Sequence, residues 1–213
     1  MSVDALWEKG RDVSLYQYSH LNPIRQIDPD GQWSIDIYAC KDRDANPYGS
    51  GVVKDQNGNV VFTFVCRLEG QGSNRLLEDG DTPFGVYKIY EEDTWRQSTK
   101  GERAGYGPNA RLQFVGIAGE VVESASCEKP REINTLRIHG GRQEEKGNEG
   151  KLEKTHGCIR VYDSDIKKMQ EITEQLMKNN PNEKPGLLRV TPTDECSGGT
   201  AHPTNTAEKH PQP

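Results

Sequence analysis

The chain has 213 residues, with 27 Lys and Arg against 33 Asp and Glu, a formal net charge of −6. Only 32% of residues are hydrophobic, 28% are charged and the mean hydropathy is −0.88, which supplies one modest core wrapped in long polar loops. No apolar run reaches the 18 or more residues of a membrane span, and no basic block offers a footprint for nucleic acid, so neither partner is expected.

Twenty-two glycines and twelve prolines point to turn-rich β structure. Residues 1–34 read as an N-terminal extension. Asp4, Glu8, Lys9, Arg11 and Asp12 break any apolar run there, so no signal-peptide core is present. The expectation is a chain that stays in the cytoplasm, reaches the periplasm or cell wall by a signal-independent route, or is a mature form with an added start Met. Residues 35–192 form the expected folded domain. Ile35–Cys40 predicts a strand and Val60–Leu68 a hairpin strand, separated by the turn formers Asn46-Pro47, Gly49 and Asn57-Gly58. Thr82-Pro83-Phe84-Gly85 feeds a strand running to Tyr90. Residues 91–108 are polar, a long loop or short helix. Strand-like segments return at Arg111–Ile117, Val121-Val122 and Leu136–His139. Ile166, Met169, Ile172, Leu176 and Met177 recur at steps of three and four, one face of a helix over Ser164–Lys178 that Asp163 or Ser164 would cap and Asn179-Asn180-Pro181 would stop. Leu187–Val190 is a last strand, and residues 193–213 read as a polar flexible tail. The fold class is mainly β, with one main α-helix directly after a His-Gly-Cys segment.

The five cysteines, Cys40, Cys66, Cys127, Cys158 and Cys196, contain no CxxC pair, so neither a zinc ribbon nor a dense disulfide framework is indicated. Cys40 and Cys66 end strand-like runs and read as small buried thiols. Cys158 differs. A nucleophilic thiol needs a base within reach, help in ionising, and donors for the oxyanion formed on a carbonyl. Gly157 lacks a Cβ and would let a carbonyl approach the backbone, leaving the nearby N–H groups as candidate oxyanion donors. His156, two residues from Cys158, would lie on the same side of an extended segment. His139 would reach Cys158 if their strands are neighbours, and Arg160 adds positive charge. Spacing alone leaves two other readings open: an inert buried Cys beside surface histidines, and a Cys/His zinc site that lacks an evident fourth ligand.

His139-Gly140-Gly141, a spacer ending at Lys154, and Thr155-His156-Gly157-Cys158-Ile159-Arg160 together resemble the signature of L,D-transpeptidases with the YkuD-type catalytic domain. Asp81-Thr82-Pro83-Phe84-Gly85-Val86-Tyr87 is similar to the family's Thr-Pro-x-Gly turn. The resemblance covers about residues 35–192. It implies a β-rich fold with no metal or organic cofactor. It also implies a cysteine acyl-enzyme acting on peptidoglycan stem peptides or muropeptides. Cys158 would be the nucleophile, His139 its proton acceptor, and His156 and Gly157 the residues shaping the catalytic site. Thr155, Gly140 and Arg160 would support or orient substrate. The expected reaction releases D-Ala from a tetrapeptide stem and passes the acyl group to an amine; with water instead, the enzyme is an L,D-carboxypeptidase of peptidoglycan recycling or a secreted antibacterial effector. A non-catalytic wall-binding module and a papain-like protease are the competing classes. The first needs no nucleophile, and the second has its Cys upstream of its His, opposite to the order here. Protein partners are not predicted.

Overall fold

The computed structural model describes residues 32–123, 136–142, 151–194 and 196. Nine strands form one sheet: β1 (Gln32–Ala39), β2 (Tyr48–Lys54), β3 (Val60–Arg67), β4 (Gly85–Ile89), β5 (Trp95–Arg96), β6 (Arg111–Gly119), β7 (Arg137–His139), β8 (Ile159–Val161) and β9 (Lys184–Pro192). Among the described residues they are accompanied by the helices α1 (Arg103–Tyr106), α2 (Glu120–Glu123) and α3 (Asp163–Asn179). The mainly β expectation holds. The strand order is β4-β9-β1-β2-β3-β8-β7-β6-β5, and β4 also pairs with β6, so the sheet closes on itself and only β5 hangs from the ring. Closure removes the open edges that would otherwise invite pairing with another chain.

The core is where alternation predicts it. Trp33, Ile35 and Ile37 on β1, Tyr87 and Ile89 on β4, Leu112 and Phe114 on β6, and Ile138 and Ile159 on β7 and β8 are fully buried. Each such side chain contributes about 1.5–3 kcal/mol by leaving water. α3 docks the face predicted for it, with Ile166, Met169 and Thr173 buried, and Trp95 Nε1 donates to Thr173 Oγ1 at 3.1 Å.

Four expectations change. Residues 48–54 form β2, where Gly49 and Asn46-Pro47 had suggested only turns; a Cβ on Gly51 would enter the Phe64 ring, so the glycines permit close pairing with β3. Val121-Val122 lies in the short helix α2, not a strand, with Val121 fully buried. Neither Asp163 nor Ser164 caps α3: the N-cap is Tyr162, and Asp163 is already helical. Cys40 is not a free thiol but is disulfide-bonded to Cys196, whereas Cys66 is free and fully buried, with burial pushing its thiol up to about 12. Cys127 lies outside the described residues, as do residues 1–31 of the extension and 197–213 of the tail.

Candidate active site

β7 and β8 run parallel with Ile138 level with Ile159 and His139 level with Arg160. Ile138 and Ile159 enter the core, so alternation sends Arg137, His139 and Arg160 to the other face. Cys158 is a half-buried cysteine immediately before β8.

The backbone at Cys158 is held from two sides. Thr155 Oγ1 donates to the Cys158 carbonyl at 2.7 Å, and Thr82 Oγ1 lies 3.2 Å from both that oxygen and Leu68 O, so its one proton is shared between them. Thr155 is itself fixed by donating its backbone N–H to Glu69 O at 3.1 Å. Behind Thr82, the buried Arg43 guanidinium donates to the carbonyls of Thr82 and Leu68, with Phe84 stacked 4.7 Å from it. Arg43 pays for burial by a pKa lowered to about 10. Thr82, part of the Thr-Pro-Phe-Gly turn, thereby acts at the site, a role the motif itself did not announce.

His139 is 3% exposed. Its Nδ1 lies 2.7 Å from Gly140 O; a carbonyl only accepts, so Nδ1 carries the proton and Nε2 keeps its lone pair. The Tyr106 ring meets the imidazole edge-on at 4.8 Å. Burial first, and the Arg160 charge second, lower its pKa to about 3, so the imidazole is neutral at neutral pH. The nearby positive charge belongs to arginines: the fields of Arg137 and Arg160 both register Cys158.

Gly140 is wedged against α3. A Cβ there would press into Asp163 Oδ1, the atom that accepts the Gly141 N–H at 2.9 Å. Asp163 thus ties the loop after His139 to the first turn of α3 instead of capping the helix. Arg160, 3% exposed, donates Nη1 to Gly141 O at 2.7 Å and holds the same loop from beneath.

His156 sits differently from its sequence expectation. Gly157 adopts φ +95°, a left-handed conformation that suits glycine, so 156–158 is not extended and alternation does not apply. The His156 ring is exposed, with Nδ1 2.8 Å from Asp79 Oδ1. The Gly157 N–H is committed to Thr155 Oγ1 at 3.1 Å and is not offered to an oxyanion. The structure thus gathers Cys158, His139, Gly140, Thr155, Gly157 and Arg160 at one end of the β7–β8 pair and leaves the His156 ring in solvent. Among the described residues, no three His, Cys, Asp or Glu side chains could hold a metal ion, and no helix is long and apolar enough to cross a membrane.

The profile of the YkuD L,D-transpeptidase catalytic domain matches residues 52–175, more than half of the chain, from within β2 to within α3. Among solved structures, the chain is similar to the Ldtfm–avibactam carbamoyl enzyme at 18% identity and a TM-score of 0.36, over 77% of this chain and 49% of that one. The chain therefore spans about half the length of that solved relative. No curated protein matches it. Since the matched segment contains both His139 and the Thr155–Arg160 stretch on neighbouring parallel strands, the chain belongs to the YkuD family of L,D-transpeptidase catalytic domains.

Proposed function

We propose that the protein is a cysteine L,D-transpeptidase acting on peptidoglycan tetrapeptide stems through a Cys158 thioester. The observation carrying this reading is the Cys158 carbonyl held by Thr155 with Thr82 beside it, which fixes a residue on which the charges of Arg137 and Arg160 both act. Membership of the family supplies the substrate class.

In this mechanism Cys158 Sγ attacks the carbonyl carbon of the third stem residue as its proton passes to His139 Nε2. A base of low pKa does not hold the proton at rest, so transfer accompanies attack instead of preceding it. Arg137 and Arg160 favour the developing thiolate. The tetrahedral oxyanion then collapses, the C–N bond breaks, and His139 returns the proton to the amine of the departing D-alanine. A side-chain amine of a second stem attacks the thioester, loses a proton to His139, and releases the sulfur. Water in place of the amine gives a tripeptide. Because Gly157 N–H is already engaged, the oxyanion is expected to rest on other donors around Cys158.

Incubating the protein with purified disaccharide-tetrapeptide and reading the products by mass spectrometry tests the proposal. Dimer with loss of D-Ala supports cross-linking, tripeptide alone assigns L,D-carboxypeptidase activity, and unchanged substrate rejects the substrate class. Cys158→Ala removes either activity.

A further inference from the structure

A row of arginines, interrupted by the neutral His139, crosses the sheet beside Cys158. Arg96 on β5 is opposite Arg111 on β6, and His139 on β7 is level with Arg160 on β8, which in turn faces Arg67 on β3. The β6–β7 register, Leu112 with Ile138 and Gln113 with Arg137, continues to place Arg111 opposite His139. Like charges directly across strands repel, so such a row requires anions. Arg67 has Glu69, and Arg111 Nη2 donates to Glu102 at 2.7 Å, which together with hydrogen bonds from Thr99 pulls that carboxyl down to about 2.

Arg111 is nonetheless incompletely matched. It is 5% exposed and stacks 4.4 Å from the Tyr106 ring that also abuts His139, yet its Nε and Nη1 have no acceptor among the described residues. Burying guanidinium N–H groups without acceptors is costly, and the cost is tolerated where a ligand or function uses the charge. Arg137 is a half-buried cation two residues before His139; its Nη1 donates to Leu136 O at 2.6 Å, and its charge acts on Cys158. Arg137 also feels Arg111, so the two charges act on the same volume.

We propose that Arg137, backed by the buried Arg111, is a carboxylate-binding residue that makes the site selective for acyl donors carrying a free carboxylate next to the scissile bond. The inference rests on Cys158 being the nucleophile, as proposed above. Two carboxylates of a stem peptide fit the chemistry: that of the departing terminal residue, and a side-chain carboxylate on the diamino acid. A guanidinium fork matches either one.

The first arm of the test needs no peptidoglycan activity. Iodoacetate and iodoacetamide both alkylate a thiolate, forming C–S and releasing iodide, but only iodoacetate is an anion. With peptide mass spectrometry assigning the label to Cys158, the iodoacetate-to-iodoacetamide rate ratio is expected to exceed that of N-acetylcysteine by about tenfold in low salt, and to fall in 0.5 M NaCl (roughly a 4 Å screening length). Arg137→Gln removes the preference and Arg137→Lys retains part of it. A wild-type ratio equal to that of N-acetylcysteine overturns the proposal without any variant. So does an Arg137→Gln protein in which both reagents slow equally, the mark of a merely structural role. The second arm compares the tetrapeptide donor with its C-terminal amide and with a donor amidated on the diamino acid. The derivative whose KM rises in wild type, but no further in Arg137→Gln, identifies the carboxylate; equal KM for all three overturns the proposal. If no donor turns over, the substrate reading fails while the alkylation ratio still decides this one.

Discussion

Two hydroxyls decide where the sulfur sits. Thr155 Oγ1 donates to Cys158 O in a part-buried setting and accepts from the buried Gly157 N–H. Thr155→Val keeps the shape and removes both bonds, leaving the Gly157 N–H buried and short of a partner; a loss of about 1–3 kcal/mol is expected. Thermal melting should show a drop of several degrees and the alkylation rate of Cys158 should fall, while Thr155→Ser restores both. A valine variant with wild-type alkylation would mean that Thr82 suffices. His139 carries a different signature. Its folded pKa of about 3 lies below the ordinary 6.5, so the unfolded chain binds a proton that the folded one refuses. The associated stability is complete above pH 6.5 and is lost as pH falls toward 3, with a slope of up to about 1.4 kcal/mol per pH unit. Urea unfolding between pH 7 and pH 5, above the range where most carboxylates titrate, should show this slope in wild type and a flatter one in His139→Gln.

At the scale of elements, the loop after β7 is fixed by α3. Gly140→Ala drives its Cβ into Asp163 Oδ1, and overpacking of this kind costs about 1–3 kcal/mol. Removing the obstacle should help, so the double variant Gly140→Ala/Asp163→Ala is expected to recover part of the loss despite forfeiting the Gly141 bond; a double-mutant cycle with strictly additive costs would show that the two residues do not meet. This coupling also marks how far the sequence was legible. The His-Gly-Cys motif and the 3.6-residue period of α3 were readable because they are local. That Asp163 reaches back to Gly141 was not, since a helix-initial Asp has the same appearance whether it caps or bridges. Arg111, Tyr106 and Thr82 were missed as site residues for a related reason: they reach the site from β6, α1 and the turn before β4, and only register brings them in. β2 was hidden by Gly49 and Gly51, whose missing side chains make room for Leu68 and Phe64. In α2 the β-branched pair Val121-Val122 favoured a strand by propensity, but burial of Val121 against Gly116 outweighs it.

For the whole molecule, the decisive strand is the last one. β9 runs parallel to β1 and antiparallel to β4, so the ring of strands closes only when the C-terminal segment is in place. The chain just beyond it is tied back twice: Thr193 N–H donates to Ala39 O at 3.0 Å, and Cys196 is bonded to Cys40 across 156 residues of sequence. Such a separation is invisible to spacing rules, which is why the odd cysteine count concealed the bond. It is also where a cross-link restricts the unfolded chain most, on the order of 4–5 kcal/mol in the chain-entropy view and about 2–4 in typical practice. A chain ending at Cys196 retains every described contact and should melt with the full-length protein. One ending at Thr193 loses the bond and should melt about 5–10 °C lower, given roughly 2–4 °C per kcal/mol for a chain of this size. Cys196→Ser should match it, and a reductant should bring the full-length protein down to the same level. If instead all five preparations melt together, the cross-link does not hold the ring shut, and the pairing of β9 with β1 and β4 carries that task unaided.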